Sequence, residues 1–434
     1  MAEIPAKHDL KPSPTALTNT RLVAFLQEQV FRLWNVPYRG RWTSPCMHPV
    51  SITRSQWKDV VDHLDDYVVG EKADGVQYFL LLTRTPKGQD VSVMIDRAGN
   101  MYAVSVLAGS EFFNGTLVVG ELAWVQEYLN PSDLTSASVE TGTVVPVQVF
   151  DSNVSKPGVW RQKFKVFSNL VLRGERMYDK HFQTRHSNLC DVISIEDDPI
   201  KDTDTWLERA SQHAQQGKIV CAGNEFCLMF VLKPWHTLRN FSALTRTTNQ
   251  VTNPFDGFII QHTRMSERPG RKPGCFKWKA VNTLDFGHQG NPKALYVQHG
   301  PQVLNANESK LIQFEGKTVE FIPQNLPHES DALSYAIGEF VCTILGIDKS
   351  SPDADGVTHE VLKIAAYYQE MRKEKNSPND TITINNTLVN IVENMTLDEI
   401  IRDVQTKVQE KRQVLTIMNL PGTVTPNNAK IERE

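Results

Sequence analysis

Long apolar segments are missing from this 434-residue sequence. No apolar run approaches the ~20 residues that a membrane-spanning helix needs. The first residues, Met1 to Pro5, also lack the apolar core of a secretory signal. The sequence therefore predicts neither a membrane protein nor a secreted one.

Paired cysteines are missing as well. The six cysteines form no Cys-x-x-Cys pair, and the spacing of Cys221 and Cys227 matches no common zinc pattern. The histidines show no metal-ligand spacing either. We therefore expect reduced thiols, as in the cytosol or the nucleus.

The chain also has little net charge, no internal repeat and no low-complexity tract. Its formal charge is -4 at pH 7, which excludes a uniformly basic nucleic-acid coat but leaves a local basic groove open. Charged residues make up 22% and hydrophobic residues 40% of the chain, as in ordinary globular proteins. The length predicts two or three domains.

Four segments can be distinguished along the chain. Residues 1–17 are polar, hold three prolines and are expected to be a flexible tail. Residues 18–287 contain helical patterns followed by alternating strands and turns. Residues 288–420 have short strands spaced as in a small β-barrel, followed by a C-terminal helix, and residues 421–434 form a polar tail.

Several local elements can be predicted within these segments. Apolar residues at helical spacing predict helices over 19–34 and 55–64, and a hairpin is predicted over 91–104. Thr396 and Glu399 have the spacing of a capping box before an apolar stripe, which indicates a helix with one packing face.

The strongest chemical candidate is Lys72, in the segment Glu71-Lys72-Ala73-Asp74-Gly75 between two predicted strands. A lysine attacks only when neutral, so its pKa must fall from about 10.4 through burial or nearby cations. Asp74 adds an acid, and Gly75 would let a nucleotide come close. Lys-x-Asp-Gly fixes only three positions and also occurs in ordinary surface turns, so its meaning depends on the rest of the chain.

Further polar residues follow at the ends of predicted strands, where side chains can converge on one cleft. Transfer of a nucleotide to a lysine needs cations for the phosphates, acids for Mg²⁺ and a slot for the base. Lys277 and Lys279 share one face of a strand because side chains alternate with period two. Glu121 and Asp256 offer the hard oxygens that suit Mg²⁺. Phe150 offers a ring for stacking.

In their order, these segments resemble the motifs of the covalent nucleotidyltransferase superfamily, and most closely those of the mRNA capping enzymes, the GTP:RNA guanylyltransferases. Motif I is similar to Lys72-Ala73-Asp74-Gly75, motif III to Gly120-Glu121-Leu122, and motif IIIa to Val147-Gln148-Val149-Phe150-Asp151. Motif IV is similar to Asp256-Gly257-Phe258-Ile259-Ile260, and motif V to Lys277-Trp278-Lys279 with Asn282-Thr283-Leu284-Asp285-Phe286. Motif VI is similar to Arg372-Lys373-Glu374-Lys375 with Pro378-Asn379. His48-Pro49-Val50-Ser51 resembles a segment often found upstream of motif I in capping enzymes. The resemblance spans roughly residues 45 to 380, and motifs V and VI are its most specific parts.

The resemblance implies an α+β fold, in which an antiparallel-rich nucleotidyltransferase domain precedes an OB-fold β-barrel. It also implies a reaction in which Lys72 becomes covalently attached to GMP from GTP. The catalytic residues would be Lys72, Lys277, Lys279, Arg372 and Lys375, the last two orienting the pyrophosphate leaving group. The nucleotide-binding residues would be Asp74, Gly75, Glu121, Phe150, Lys233, Asp256, Lys277 and Lys279.

Two of these nucleotide-binding residues, Glu121 and Asp256, would also hold Mg²⁺ or Mn²⁺. Lys233, before Pro234-Trp235, is a candidate for contact with guanine O6, with structural packing as the alternative. Arg185 would either support the site or form a surface ion pair.

The sequence departs from the family's pattern at four positions. Gln77 stands where family members often have an arginine that contacts the nucleotide. The other departures are Val119 for the Asp of motif III, Glu374 for the Asp of motif VI, and Ala280 for a Pro of motif V. None removes the expected nucleophile or the expected metal acids.

Two alternatives and several partners follow from the resemblance. The alternatives are an ATP-dependent RNA or DNA ligase and a subunit without catalytic activity. A capping enzyme would act on 5′-diphosphate RNA. Because no segment for the other capping steps was found, a separate RNA triphosphatase and cap methyltransferase are expected, with RNA polymerase as a candidate partner. A cellular enzyme of this kind would be nuclear, and one from a cytoplasmic virus would be cytoplasmic.

Overall fold

The computed structural model describes most of the chain. The described residues are 10–13, 15–40, 42, 44, 47–128, 146–151, 154–193, 211–221, 228–248, 255–289, 293–308, 311–327, 336–350, 358–372, 375 and 377–418. Within them, the side chains of residues 126–128, 146–151, 154–161, 243, 246–248, 255 and 414–418 lie outside the description. The predicted tail at 421–434 and most of the predicted tail at 1–17 therefore lie outside the described residues.

Six helices have both ends within the described residues: α1 (Thr20–Leu33), α2 (Arg54–Asp62), α3 (Phe182–Val192), α4 (Phe241–Thr248), α5 (Thr381–Glu393) and α6 (Leu397–Met418). Helices α1 and α2 confirm the predicted helices near residues 19–34 and 55–64. Asn19 caps α1 by accepting a hydrogen bond from the backbone N–H of Leu22. The predicted capping box is also confirmed, since the backbone N–H of Thr396 donates to Glu399 at 2.7 Å and that of Glu399 donates back to the Thr396 hydroxyl.

Sheet A has five strands in the order β1-β15-β14-β2-β13. Their bounds are β1 (Met47–Ser51), β2 (Tyr67–Ala73), β13 (His236–Thr237), β14 (Phe255–His262) and β15 (Gly270–Trp278). Strand β1 runs parallel to β15, and the other neighbours are antiparallel.

Sheet B has eight strands and lies beside sheet A in the first part of the chain. Their bounds are β3 (Gly75–Arg84), β4 (Asp90–Asp96), β5 (Met101–Ala103), β7 (Thr116–Tyr128), β8 (Pro146–Asp151), β9 (Val154–Leu172), β10 (Glu175–Arg176) and β12 (Met229–Leu232). Strands β4 and β5 confirm the predicted hairpin. A separate small pair joins β6 (Val106–Leu107) to β11 (Val220–Cys221).

Sheet C has seven strands in the order β18-β17-β16-β21-β22-β20-β19. Their bounds are β16 (Thr283–Gln289), β17 (Ala294–His299), β18 (Gln302–Asn305), β19 (Gln313–Phe314), β20 (Lys317–Gln324), β21 (Ala336–Lys349) and β22 (Glu360–Met371). The sheet surrounds its own core, against which Ile384 and Leu388 of α5 pack. The sequence predicted an OB-fold barrel for this part of the chain. The described strands pair along an open path from β18 to β19, so the barrel stays a prediction.

The mixed, sheet-rich α+β class is confirmed by these elements. Sheet B has one core against α1 and another on its opposite face, while sheet A packs against α2 and α4. Among the described residues, no helix is both long and apolar enough to cross a membrane.

Helix α6 packs in a different place from the one expected. The predicted division placed it with the second domain, but Ile400 and Val404 are buried in the core of sheet A, beside Trp57 and Phe258. The apolar stripe is a packing face, as predicted, and sheet A supplies the apolar surface that it covers. Strand β16 begins at Thr283, so sheet C starts before the expected boundary at 288.

Candidate active site

Lys72 lies at the point where the chain passes from sheet A to sheet B. It belongs to β2, and only Asp74 separates this strand from β3, which belongs to the other sheet. The two predicted strands are therefore present, but they do not pair as a hairpin. Because the sheets diverge at this step, the end of β2 faces the cleft between them.

The structure shows why position 75 requires a glycine, for a reason that the sequence did not indicate. A Cβ atom added at this position would lie 2.2 Å from the carbonyl oxygen of Leu122 in β7. The glycine therefore permits close contact between two backbones, and the expected approach of a nucleotide is a further role.

A β-bulge directs Asp256 toward Lys72. In the pairing of β14 with β2, Phe255 is opposite Ala73 and Gly257 is opposite Lys72, so Asp256 is the extra residue. A bulge of this kind changes the direction of a side chain locally. The Asp256 carboxylate thereby reaches the Lys72 Nζ, with 2.6 Å between Nζ and Oδ2.

One cavity of about 730 Å³ brings the predicted site together. All predicted site residues except Phe150 line it: Lys72, Asp74, Gly75, Glu121, Lys233, Asp256, Lys277, Lys279, Arg372 and Lys375. The residues come from strands of sheets A and B and from the segments that follow β2, β12, β15 and β22, so they are far apart in sequence and adjacent in space. Gln77, which stands in place of the family's arginine, lines the same cavity.

An alternating chain of charges begins at Lys72 and leads into sheet C. Asp256 contacts both Lys72 and Lys279, and the second contact is 2.8 Å long. The Lys279 Nζ lies 3.9 Å from Glu339, which accepts a hydrogen bond from Arg372 at 2.6 Å.

The chain of charges continues through Asp285. This carboxylate accepts a hydrogen bond from Arg372 at 3.2 Å and one from the Lys375 Nζ. We call the seven residues Lys72, Asp256, Lys279, Glu339, Arg372, Asp285 and Lys375 the ion-pair chain. Glu339 was not predicted, since nothing in its local sequence indicates that β21 places it beside the motif residues.

The pKa of Lys72 differs from the one that nucleophilic attack requires. Burial alone would lower it, but Asp256, Glu121 and Asp74 outweigh burial and raise it above the usual lysine value. Burial would likewise raise the pKa of Asp256, whereas Lys72 and Lys279 hold it below its usual value. Lys72 and Asp256 are therefore an ion pair in the free protein.

Lys277, by contrast, has a strongly lowered pKa. Burial is the main cause, and the positive charges of Lys279, Lys72 and Lys375 add to it, so the pKa falls to about 7. Strand β15 holds Lys277 between Ser51 of β1 and Ile259 of β14. This lysine can therefore change its charge near neutral pH.

Aromatic rings line the cavity near Lys233. Its Nζ lies 5.5 Å from the ring centre of Phe167 and 5.0 Å from that of Trp235. Burial lowers the pKa of Lys233 to about 8, despite the opposing charges of Glu121 and Glu71.

The stacking ring predicted from the sequence, Phe150, lies in β8, but its side chain is outside the described part. Phe167 lines the cavity and was missed by the sequence reasoning. The sequence feature that could have indicated Phe167 is its position after Val166, near the end of a long apolar strand pattern.

Arg185 supports the floor of the cavity from a buried position. It is 1% exposed and lies 3.4 Å from Glu267, which is 2% exposed. Arg185 also donates hydrogen bonds to the carbonyl oxygens of Lys180 and Met265. The expected alternative of a surface ion pair is therefore wrong, because both charged groups are inside the protein.

The expected metal acids lie beside the nucleophile. Both Glu121 and Asp256 act electrostatically on Lys72, and Glu121 accepts a hydrogen bond from the backbone N–H of Gly75 at 3.3 Å. The described residues contain no group of three or more acids, histidines or cysteines that could hold a metal by themselves. Two carboxylates suit a Mg²⁺ ion that takes its other ligands from phosphates and water.

Comparison with known families finds a match in the first part of the chain. Residues 15–131 match the family model of the catalytic domain of mRNA capping enzymes. The α subunit of the mRNA-capping enzyme from Neurospora crassa is 31% identical over 109 residues, which are 23% of this chain and 26% of that protein. The chain thus spans about a quarter of the length of this curated relative. The resemblance to capping enzymes inferred from the motifs is confirmed by these matches.

Comparison with solved structures finds DNA ligases. A mycobacterial DNA ligase D complexed with ATP and MES has a TM-score of 0.30 at 13% identity, with 76% of this chain and 95% of that chain covered. The ATP-dependent DNA ligase from bacteriophage T7 complexed with ATP has a TM-score of 0.28 at 13% identity, with coverages of 61% and 80%.

Proposed function

We propose, starting from the resemblance to the capping-enzyme catalytic domain, that the chain is a GTP:RNA guanylyltransferase. It would transfer GMP from GTP to Lys72 and then to the 5′-diphosphate end of RNA. The observation that carries this proposal is the single cavity at Lys72, where residues of motifs I, III, IV, V and VI meet.

In the first step, neutral Lys72 would attack the α-phosphorus of GTP. The N–P bond forms while the bond to the pyrophosphate oxygen breaks, and the Lys72 proton is lost. Lys277, Lys279, Arg372 and Lys375 line the cavity and would stabilise the charge on the phosphates. Phe167 and Trp235 would provide the apolar surface for the base, with Lys233 beside them.

Glu121 and Asp256 would hold the divalent ion. When bound, Mg²⁺ would neutralise phosphate charge and compete with the Lys72 ammonium group for Asp256. Because Asp256 is the charge that raises the Lys72 pKa most, weakening this ion pair favours the neutral amine.

In the second step, a terminal phosphate oxygen of the RNA would attack the phosphorus of lysyl-GMP. The new P–O bond forms as the N–P bond breaks, and the Lys72 amine is regenerated. Opening and closing of the sheet C lobe would separate the two steps. The name of the similar Neurospora crassa protein, a subunit α, supports our proposal that other capping activities reside in separate chains. A cellular host would hold the enzyme in its nucleus.

Covalent labelling tests the proposal. The purified chain is incubated with radiolabelled GTP or ATP and Mg²⁺, and the denatured protein is examined for label. We expect a GMP adduct that requires the metal. Labelling by ATP alone would instead assign the chain to the ATP-dependent ligases, and labelling by neither nucleotide would indicate a subunit without this activity.

Substitution of Lys72 identifies the attachment site. Lys72→Ala removes the amine, and Lys72→Arg leaves a group that stays protonated, so both variants should lose the adduct. Lys363→Ala is a matched control, because Lys363 lies in sheet C and pairs with Asp348 outside the cavity. Full labelling of either Lys72 variant would show that another residue carries the nucleotide.

A further inference from the structure

The cavity continues past the ion-pair chain to an outer end that the motifs do not explain. Three basic residues line this outer end: His48 in β1, Arg97 just after β4, and Arg271 in β15. His48 and Arg271 are direct neighbours in the parallel pairing of β1 with β15. Arg97 follows a strand of the other sheet of this part of the chain, sheet B, and all three residues line the same cavity.

Positive charge is concentrated at this outer end. Burial, together with the nearby charges of Arg97, Arg271, Lys277 and Lys375, lowers the pKa of His48 to about 4. His48 is therefore a neutral imidazole at pH 7, surrounded by cations, and its ring can still exchange hydrogen bonds with an anion.

Hydroxyl and amide groups line the outer end beside these cations, and the Thr383 hydroxyl accepts a hydrogen bond from Arg271. Ser377, Asn379, Thr383 and Thr387 line the outer end from the segment that leads into α5 and from α5 itself. Arginines, hydroxyls and amides are the side chains that contact nucleic-acid phosphates. Arg271 also pairs with Asp380, at 3.1 Å, but this pair is partly exposed and therefore weak.

Arg271 lies outward from Lys277 along sheet A. In the pairing with β1, Arg271 is opposite His48 and Lys277 is opposite Ser51, three residues further on, which corresponds to about 10 Å of strand. A nucleotide whose phosphates contact Lys72 and Lys277 therefore leaves room at the outer end for a second phosphate-bearing molecule.

We propose that His48, Arg97 and Arg271 form the binding site for the phosphates at the 5′ end of the acceptor RNA. This inference rests on the proposed function, since it names where the second substrate lies. The terminal phosphate would point inward to lysyl-GMP, and the following phosphodiesters would contact the outer cations.

Binding of RNA to the full chain tests the site without any chemistry. Anisotropy of a fluorescent 5′-diphosphate RNA oligonucleotide is measured over a range of KCl concentrations. Arg97→Gln and Arg271→Gln should each weaken binding about tenfold at low salt, and each lost phosphate contact should reduce the salt slope by about 0.7. Arg268→Gln is the matched control, because this exposed arginine lies close by in sequence, pairs with Asp179 and does not line the cavity.

Asp380→Asn separates a charge effect from a structural one. This variant breaks the ion pair of Arg271 but keeps the arginine, and asparagine still caps α5. RNA affinity should stay the same or increase. A loss equal to that of Arg271→Gln would show that the pair acts only by holding α5, and would overturn the proposal.

Separate measurement of the two half-reactions shows whether the outer end binds the phosphates of the acceptor RNA or those of GTP. For Arg271→Gln, the KM for RNA in transfer from a preformed adduct should rise more than the KM for GTP in adduct formation. The opposite order would assign the outer end to GTP and overturn the proposal, as would unchanged RNA binding in both arginine variants. Failure to form any adduct would refute the proposed function, while the RNA-binding result would still stand.

Discussion

At the scale of single residues, the site contains two lysines with opposite behaviour. Asp256 keeps Lys72 charged, whereas burial and neighbouring cations bring the pKa of Lys277 to about 7. The sequence argument required a lowered pKa for Lys72, whereas the structure shows a lowered pKa for Lys277. In the free protein, the proposed nucleophile Lys72 is therefore protonated, and the proposed phosphate contact Lys277 is only partly charged at neutral pH.

This difference predicts proton uptake when GTP binds. Phosphate favours the charged form of Lys277, so above about pH 7 the complex keeps a proton that the free protein has lost. Metal-free GTP affinity should therefore fall as the pH rises between about 7.5 and 9, by up to about tenfold per pH unit. Calorimetry in buffers of different ionisation enthalpy measures the uptake directly.

Lys277→Gln is the test variant for this uptake. Lys233, with a pKa of about 8, and Lys375, whose pKa burial also lowers, line the same cavity and should account for the uptake that remains. His48 does not contribute, because its pKa of about 4 lies below this range. Unchanged proton uptake in Lys277→Gln would contradict the assignment.

The sequence predicted most site residues because each follows or ends a strand pattern in a recognisable order. It missed Glu339 and Phe167, whose neighbours in sequence carry no motif, since only the pairing of strands brings them to Lys72. It also could not show whether Arg185 is buried, because burial depends on the loop that carries Glu267.

At the scale of elements, local patterns predicted helices and turns well. The capping box of α6 and the hairpin of β4 and β5 depend on residues a few positions apart, and both are confirmed. The crossing at Asp74 was not predicted, because a strand–turn–strand pattern is the same whether the strands pair with each other or join different sheets.

Gly75→Ala tests this crossing. The new methyl group would overlap the backbone of Leu122, so the free energy of unfolding should fall by about 3 kcal/mol. Gly316→Ala is the control: its site is open, and only its positive φ should cost about 1 kcal/mol. Urea unfolding measures the free energy of unfolding of both variants. Equal decreases would show that β3 can move away from β7 to accept the methyl group without loss of stability.

At the scale of the whole molecule, the ion-pair chain connects the nucleophile to sheet C. Arg372 and Lys375 contact Asp285 on sheet C, while Lys72 and Asp256 lie on sheet A. Sequence order could not predict this connection, because it depends on how the sheets pack together. In the proposed mechanism, Arg372 and Lys375 would reach the leaving pyrophosphate only when sheet C covers the cleft.

The two half-reactions should therefore respond differently to loss of these cations. Arg372→Ala and Lys375→Ala should slow adduct formation about a hundredfold or more, because each removes a charged contact to the leaving pyrophosphate. Transfer from a preformed adduct should slow much less, since pyrophosphate has already left. Equal slowing of both steps would indicate misfolding or a role in RNA binding.

The packing of α6 on sheet A determines how sheet C can travel. The chain enters sheet C through residues 279–282 and leaves it through residues 394–396, and both flanking elements, β15 and α6, belong to the core of sheet A. In the proposed opening and closing, these two short connections would restrict sheet C to a rotation about the line that joins them. Arg372 and Lys375 would then return to the same place over the cleft at each closure.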